Sequence, residues 1–405
     1  MRVGVSVREL ERKFRDCYFE YYRHFHRHPE PSREEKETAA FILDRLRAMP
    51  LEQIKTGVGG HGLTALLRGK RGGPVIALRA DMDALNVPEA TGEPFASVNP
   101  GVMHACGHDA HMAILLGAAR VLCEMADELP GSVKFIFQPS EEMTPRGGAP
   151  DMIEAGALED PRVDAIIALH VWPDYETGRI GAQDGVVSAA SDRLHIRVKG
   201  RSAHASMPHL GTDAILAASA VVTSLQSIVS RSIDPREAAV VSIGTIRGGT
   251  RYNVLPEETL LDGTVRTFNP EVTARMPELI RRTARGAAEA FGAEAEVSYE
   301  FGYPSVNNDP RASRICREAI VEVAGEEGLL PVQRVPAAGE DFSFFARERP
   351  ASFAWLGCRA PGVSESETPP LHNAAFLPDP DALPIGVQYL ATAAIMLMEE
   401  YREEG

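Results

Sequence analysis

The sequence predicts an α/β protein with a mostly parallel sheet, into which a smaller α+β domain is inserted. Short apolar runs alternate with helical periodicity up to about residue 169, which is typical of repeated strand and helix units. The composition then changes to Gly, Ala, Ser and Asp near residues 181–191, and apolar α/β character returns after about Phe301. We therefore predict a main domain of residues 1–185 and 300–405 and an inserted domain of residues 186–299.

Two helices are predicted at the start of the chain. Apolar residues between Val7 and Phe25 recur at intervals of three and four, which is the spacing of one helix face. Ser32 and Glu35 have the spacing of a capping box, which predicts the start of a second helix. Three histidines near the end of the first helix are interpreted as a solvated helix end rather than a metal tract: His24, His26 and His28.

The main sheet is predicted from apolar runs that are separated by helical stretches. Near-continuous apolar runs are typical of strands buried on both faces of a parallel sheet. Ionisable residues follow these runs, and open α/β sheets hold their chemistry at the carboxyl ends of the strands. The predicted strands are 63–67, 74–78, 133–137, 164–169 and 353–357, and the accompanying helices are 109–125 and 379–401.

The inserted domain has a different pattern. Apolar and polar residues alternate from Arg193 to Val198, which predicts a strand with one exposed face. Two helices packed against four such strands would make a small α+β domain. The further strands are expected at 239–245, 259–267 and 293–299, and the helices at 212–230 and 270–290.

Composition limits the classes of partner. The net charge of -15 over 405 residues disfavours nucleic acid and anionic membranes, because both require a basic face. The five cysteines are odd in number and have no scaffold-like spacing, which favours a reducing compartment. The N-terminal stretch lacks the apolar core of a signal peptide, and no run of about eighteen apolar residues occurs. We expect a cytoplasmic protein that binds neither nucleic acid nor membrane.

A candidate metal site lies in the run from His104 to His111, which holds three histidines, a cysteine and an aspartate. Cys106 and His108 are separated by one glycine. Glycine adopts backbone angles that other residues avoid, so both side chains can face one metal ion. A buried thiol beside a helix start is the alternative interpretation of this run.

The remaining ligands are sought at the other strand ends, because a dinuclear hydrolytic site needs several ligands and one carboxylate that is not fully committed to metal. Glu142 and His170 follow the next two predicted strands, and His372 can close the site. Glu142 is predicted to bind metal and Glu141 to act as general base on water. Neighbouring strand residues face opposite sides, so the two glutamates must lie in a turn, for which Pro139 is suited. An exposed acidic loop is the alternative.

Five segments resemble, in order, the metal-dependent amidohydrolases that include hippurate hydrolase, bacterial aminoacylases and carboxypeptidases, and plant auxin-conjugate hydrolases. The segments are RADMDAL, HACGHDAH, FQPSEE, GRSAHASMP and AGEDFS. The resemblance implies a zinc-peptidase-like catalytic domain, an inserted lid domain of the dimerisation type, and two divalent cations per subunit: zinc, manganese, nickel or cobalt. It implies that Glu141 is the base and that Asp83 holds a metal ligand or the base in place. It carries metal binding onto Cys106, His108, Glu142, His170 and His372.

One position departs from the wider superfamily. Relatives such as the dipeptidases have a bridging aspartate where this chain has Cys106. A thiolate is softer than a carboxylate and must lose a proton to bind, so the resemblance implies a different metal preference and an occupancy that falls at low pH.

The predicted lid supplies candidate substrate contacts. In similar enzymes the histidine at the position of His204 stabilises the oxyanion, often across a dimer contact, because an imidazole N–H can be aimed at developing negative charge. Asn253 and Arg266 are candidates to bind the α-carboxylate of the substrate, Arg266 by a bidentate pair. A salt bridge at a strand edge is the alternative for Arg266.

The expected reaction is hydrolysis of the amide bond of small N-acyl-L-amino acids by a homo-oligomer, either a dimer or a tetramer. Deacetylation of N-acetyl-diaminopimelate and carboxypeptidase action on short peptides are the alternatives within the enzyme class. Outside that class, the chain would be a non-catalytic protein that binds metal or amino-acid derivatives. Glu141 argues against this last alternative, because a binding protein needs no free base.

Overall fold

The computed structural model describes residues 3–70, 72–330 and 334–402, which form two compact units. The first unit takes the described residues of Met1–Val187, Asn307–Arg334 and Asp341–Gly405. The second unit takes Ser188–Val306 and the short segment Val335–Glu340. The junctions therefore lie at 187 and 307, where the sequence placed them at 185 and 300.

Helices and strands alternate through most of the chain. The helices are α1 (Val3–Arg27), α2 (Lys36–Arg47), α3 (His108–Glu124), α4 (Ala149–Glu154), α5 (Ala214–Ser227), α6 (Pro270–Glu289), α7 (Pro310–Ala324), α8 (Phe342–Glu348) and α9 (Ala382–Arg402). The strands are β1 (Glu52–Thr56), β2 (Leu63–Arg68), β3 (Val75–Asp81), β4 (Ser132–Gln138), β5 (Ala165–Glu176), β6 (Ile180–Gly181), β7 (Gly185–Val186), β8 (Ala190–Lys199), β9 (Ala203–His204), β10 (Ala239–Gly248), β11 (Val254–Leu255), β12 (Glu258–Thr267), β13 (Glu294–Tyr303), β14 (Asn307–Asn308) and β15 (Ala351–Arg359).

The first unit is built on a seven-stranded sheet in the order β1-β2-β4-β3-β5-β15-β6. The four central strands, β4, β3, β5 and β15, are parallel, and the outer strands pair in antiparallel fashion. Every residue of β3 and β4 is buried, as their continuous apolar runs require. The predicted α/β class with a parallel central sheet is confirmed.

Long apolar helices cover this sheet. Helices α3 and α9 contact each other and β3, α1 contacts both of them, and α8 contacts β5 and β15. Two helical segments, Ala382–Arg402 and Ala214–Ser232, are long and apolar enough to cross a membrane. In the α9 window 83% of the residues are buried, so packing in the core accounts for its apolar composition, whereas the other window is 33% buried.

The second unit contains a four-stranded antiparallel sheet in the order β10-β12-β8-β13, with α5 and α6 packed against it. Apolar residues of β8 alternate with exposed ones, and the inward set joins α5 and α6 in one core. A separate two-stranded ribbon pairs β9 with β11. Two helices and four principal strands thus make the small α+β unit that the alternating pattern predicts.

Candidate metal centre

The candidate ligands of the first unit lie at the carboxyl edge of its parallel strands. β3 ends at Asp81 and β4 ends at Gln138, so Asp83 and Glu141 follow strand ends as the sequence predicts. His170 differs, because β5 continues to Glu176 and His170 lies inside it, opposite Trp355 of β15. The prediction that His170 follows a strand end is therefore wrong. The apolar run of β5 ends at Leu169 because His170 is polar, but the strand continues to pair with β15 beyond that residue.

Gly107 makes the corner that joins Cys106 to His108. Its φ is +87°, and a β-carbon at this position would lie 2.4 Å from Cγ2 of Val171. The backbone therefore turns sharply before α3 begins at His108. The ligand atoms of Cys106, His108 and His170 all lie within 4.8 Å of one another, and Sγ of Cys106 is 3.4 Å from Nε2 of His170.

Hydrogen bonds fix which nitrogen of each histidine faces the centre. Nδ1 of His108 donates to the carbonyl oxygen of Asp83 at 2.8 Å, and Nδ1 of His170 donates to that of Val171 at 2.7 Å. A carbonyl only accepts, so in the neutral form of each ring Nε2 carries the lone pair. Nε2 of His108 is buried and has no hydrogen-bond partner among the described residues. A buried nitrogen in this state fits a metal ligand.

The two adjacent glutamates lie in a turn. Ser140 before them has a φ of +60°. The amides of Glu141 and Glu142 both donate to the carboxylate of Asp83, at 3.0 and 2.9 Å. The ligand atoms of His108, Glu141 and Glu142 lie within 4.8 Å of one another. The turn allows both carboxylates to approach one centre, which two neighbouring strand residues would not do.

His372 completes a second group of donors. Its amide donates to the carbonyl oxygen of Ala105 at 2.8 Å, which ties its loop to the Cys106 corner. Nε2 of His372 is 3.1 Å from Oε1 of Glu142, and the ligand atoms of Cys106, Glu142 and His372 lie within 4.8 Å of one another. Two donor triads therefore share Cys106, one with His108 and His170 and the other with Glu142 and His372.

The centre carries excess negative charge. Burial lowers the pKa of His108, but the carboxylates of Asp81 and Asp83 outweigh this effect and raise the pKa to about 10. Burial keeps the pKa of His170 well below its ordinary value, so this ring is neutral. Burial, together with the charge of Glu142, holds the pKa of Cys106 well above its ordinary value. A cation would supply the positive charge that the site lacks, and thiolate, imidazole and carboxylate suit zinc and similar metals.

A buried ion-pair network supports the strand ends and had no predicted role. Nη1 of Arg79 donates to Oδ2 of Asp81 at 2.7 Å, and Nη2 donates to Oδ1 of Asp341 at 2.9 Å. Asp81 also accepts from Nδ1 of His111 at 2.6 Å, and Nε2 of His111 accepts the amide of Val171 at 2.9 Å. The network thus reaches the backbone beside His170. The sequence signal that would have indicated it is Arg79 itself, a charged residue within a largely apolar strand.

The remaining candidate residues belong to the second unit. Residue His204 lies on β9 opposite Val254, and its Nδ1 accepts the amide of Ser206 at 3.1 Å. In the neutral ring the N–H is therefore on Nε2, which can serve as a donor. The carbonyl oxygen of Asn253 accepts the amide of Ala205 at 3.0 Å, and the buried Oδ1 of Asn253 has no partner among the described residues.

Arg266 lies on β12 and is half-buried. Burial lowers the pKa of its guanidinium. Its Nη1 donates to Oγ1 of Thr264 and to the carbonyl oxygen of Val265. Within residues 3–70, 72–330 and 334–402 its hydrogen bonds go to Thr264 and Val265 and not to a carboxylate, although the charge of Asp192 raises its pKa and partly offsets burial.

The parallel sheet with donors at its carboxyl edge and the α+β insertion define the class of zinc-peptidase-like hydrolases. The chain belongs to peptidase family M20/M25/M40, whose model matches residues 77–396. The amidohydrolase resemblance of the five segments is thereby confirmed.

Named relatives extend over most of the chain. N-acetylcysteine deacetylase of Bacillus subtilis is 40% identical over 93% of this chain and 96% of its own length. An N-acyl-L-amino acid amidohydrolase of Geobacillus stearothermophilus is 42% identical over 76% of this chain and 83% of its own length. The crystal structure of the YXEP protein of Bacillus subtilis, a dinuclear metal binding peptidase from the M20 family, has a TM-score of 0.83 and 36% identity. It covers 96% of this chain and 99% of that one.

Proposed function

We propose that the protein hydrolyses the amide bond of N-acyl-L-amino acids at a dinuclear metal centre, with Glu141 as the general base. The observation that carries this proposal is the pair of donor triads that share Cys106. The names of the relatives support the substrate class, because one is a deacetylase of an N-acyl amino acid and the other an N-acyl-amino-acid amidohydrolase. In this proposal the first unit is the catalytic domain and the second unit is the lid.

The two triads that share Cys106 would hold the two divalent cations. Cys106, His108 and His170 would hold one cation, and Cys106, Glu142 and His372 the other. Zinc, manganese, nickel and cobalt all accept this mixture of sulfur, nitrogen and oxygen donors. Bound cations supply Lewis acidity toward a carbonyl oxygen and toward water.

The chain itself supplies proton transfer and orientation. A carboxylate oxygen of Glu141 accepts a proton from the attacking water and passes it to the nitrogen of the leaving amine. Asp83 holds the amide of Glu141, so the base keeps its direction during both transfers. Asp83 also holds Nδ1 of His108 through its carbonyl oxygen, which fixes the tautomer that a metal needs.

The lid residues are assigned to the substrate. His204 has its N–H on Nε2 and would donate to the oxyanion as it forms, either within one subunit or across a dimer contact. Arg266 and Asn253 would bind the free α-carboxylate, because the guanidinium of Arg266 and the side-chain N–H groups of Asn253 can both donate to carboxylate oxygens. The proposal therefore requires a substrate with a free carboxylate. Action of His204 across a subunit contact would in addition require a dimer or tetramer.

The test is a substrate panel on the metal-loaded protein. We expect amino acid to be released from N-acetyl and N-benzoyl amino acids, and much less from the same compounds with an esterified carboxylate. Faster turnover of N-acetyl-diaminopimelate or of short peptides would replace the proposal with the corresponding alternative. Two bound cations without turnover of any compound would indicate a binding protein.

A further inference from the structure

We propose that Glu35 is a positioning residue for Glu141, which acts through the backbone of the turn that carries the base. The inference rests on the proposed function, because it takes Glu141 to be the general base. Glu35 belongs to none of the donor groups found among the described residues. Its effect on the reaction would therefore arise from the geometry of the turn and not from contact with metal or substrate.

The turn from Ser140 to Glu142 is held by two buried carboxylates. The amide of Ser140 donates to Oε1 of Glu35 at 2.7 Å. The next two amides donate to Oδ1 and Oδ2 of Asp83, at 3.0 and 2.9 Å. Glu35 is 0% exposed and Asp83 is 1% exposed, so water does not compete for these hydrogen bonds. A separate carboxylate oxygen thus fixes the direction of each of three successive peptides.

The backbone of Ser140 needs this support. Its φ of +60° lies in the left-handed region that residues with a β-carbon avoid. The side chain of Ser140 is held from the same loop, because its Oγ accepts the amide of Arg33 at 3.0 Å and donates to Oε1 of Glu35 at 3.2 Å. Without the acceptor on Glu35, the amide of Ser140 would be buried and unpaired. The turn would then relax and rotate the peptide that leads to Glu141.

Glu35 is not explained by the helix that follows it. It directly precedes α2, yet its side chain makes no capping hydrogen bond there. The amides of Glu37 and Thr38 donate instead to Glu30, at 3.1 and 2.7 Å. Burial and the charge of Asp83 raise the pKa of Glu35 to about 7, so keeping a carboxyl group at this place is unfavourable. The hydrogen bond from the amide of Ser140 is one of the contacts that offset this cost.

Variants at position 35 separate the acceptor from the charge. Glu35→Gln keeps an acceptor oxygen and removes the charge, whereas Glu35→Asp keeps the charge and withdraws the acceptor by one methylene group. Glu35→Leu removes both. Glu37→Leu is the matched control, because Glu37 lies two residues further on, in the first turn of α2, with 76% of its side chain exposed.

The holoenzyme of each variant is assayed with an N-acyl amino acid that the wild type hydrolyses. We expect kcat to fall about 10- to 100-fold in the Asp and Leu variants, because a displacement of the base by about 1 Å has such an effect. In these two variants KM and metal content should stay within about twofold of the wild type, because Asp83 still holds the amide of Glu142. The Glu35→Gln variant should have a kcat within about threefold of the wild type. If the Leu variant does not fold, the comparison of Asp with Gln decides.

A double variant tests the route through the base. Adding Glu35→Leu or Glu35→Asp to Glu141→Gln should slow the enzyme no further, whereas independent losses that multiply would overturn the inference. A wild-type kcat in the Glu35→Asp variant would also overturn the inference, and so would a Glu35→Gln variant that is as slow as Glu35→Asp. Near-normal turnover of Glu141→Gln alone would instead refute the proposed function, so the two failures are distinguishable.

Discussion

Replacing Cys106 with aspartate should remove one of the two protons that a cation displaces from its triad with His108 and His170. Burial and nearby negative charge keep Cys106 a thiol at neutral pH, and the pKa of His108 is about 10. The low pKa of His170 leaves that ring already neutral. A cation that binds at pH 7 to 8 therefore releases one proton from Cys106 and one from His108.

The magnitude follows from the number of protons. Two released protons make the affinity rise about 100-fold per pH unit, which is about 2.7 kcal/mol, as long as the pH lies below both pKa values. An aspartate is already ionised at pH 7, so Cys106→Asp leaves one released proton and a rise of about tenfold per unit. In both proteins the affinity for the cation increases with pH, because protons compete with the cation for the ligands and their concentration falls as pH rises.

Zinc titrations at several pH values measure this slope. The two tryptophans, Trp172 and Trp355, lie 6.2 and 5.8 Å from the ring of His170, so their fluorescence reports on the first triad. Calorimetry in buffers of different ionisation enthalpy counts the released protons independently. Cys17→Ser, which alters a thiol outside the donor groups of the described chain, is the control. A variant with the wild-type slope and wild-type selectivity among zinc, manganese, nickel and cobalt would refute the role of Cys106.

Three further predictions concern the base and the two buried networks. Glu141→Gln should retain both cations by elemental analysis and lose turnover by about 10² to 10⁴, and near-normal activity would remove its assignment as base. Asp341→Ala removes one of the two buried carboxylates that pair with Arg79 and leaves the amides of Gly148 and Ala149 without their acceptor. It should lower the free energy of unfolding by about 3 to 5 kcal/mol in urea titrations, whereas a loss below about 1 kcal/mol would contradict the network. Burial lowers the pKa of His26, but Asp109 and Glu89 raise it to about 9. The charged form therefore stabilises the fold fully below pH about 6.5, and about 3 kcal/mol is lost as pH rises through 9. His26→Asn should flatten this decline in unfolding experiments, and an unchanged pH profile would show that the ion pairs contribute nothing.

Periodicity predicted the long elements and missed several short ones, among them β1 and the seven-residue helix α8. The long helices α3 and α9 and the buried strands β3 and β4 were all expected, because their apolar patterns are long or continuous. β1 was missed, since four of its five residues are exposed and its pairing with β2 depends on the edge of the sheet.

Contacts between distant segments account for the errors at the site. His26 was interpreted as part of a solvated helix end, yet it is buried between Asp109 and Glu89, 83 and 63 residues away. Ser32 and Glu35 were predicted to cap α2, but Ser32 donates to Asp83 at 2.6 Å and Glu35 accepts from Ser140. In both cases the residues lie at a helix end, as the local pattern indicates, but their side chains bond to partners that are remote in sequence. A single sequence gives no signal of that partner.

The corner at Gly107 combines a position that requires glycine with a neighbouring ligand position that can accept other residues. The left-handed backbone disfavours any side chain at position 107, and a β-carbon there would also lie 2.4 Å from Cγ2 of Val171, which would have to shift. Cys106 has an ordinary backbone conformation, and an aspartate at this position would offer a harder donor than the thiolate. A single substitution at Cys106 can therefore change the metal preference while the backbone that orients the ligands stays the same.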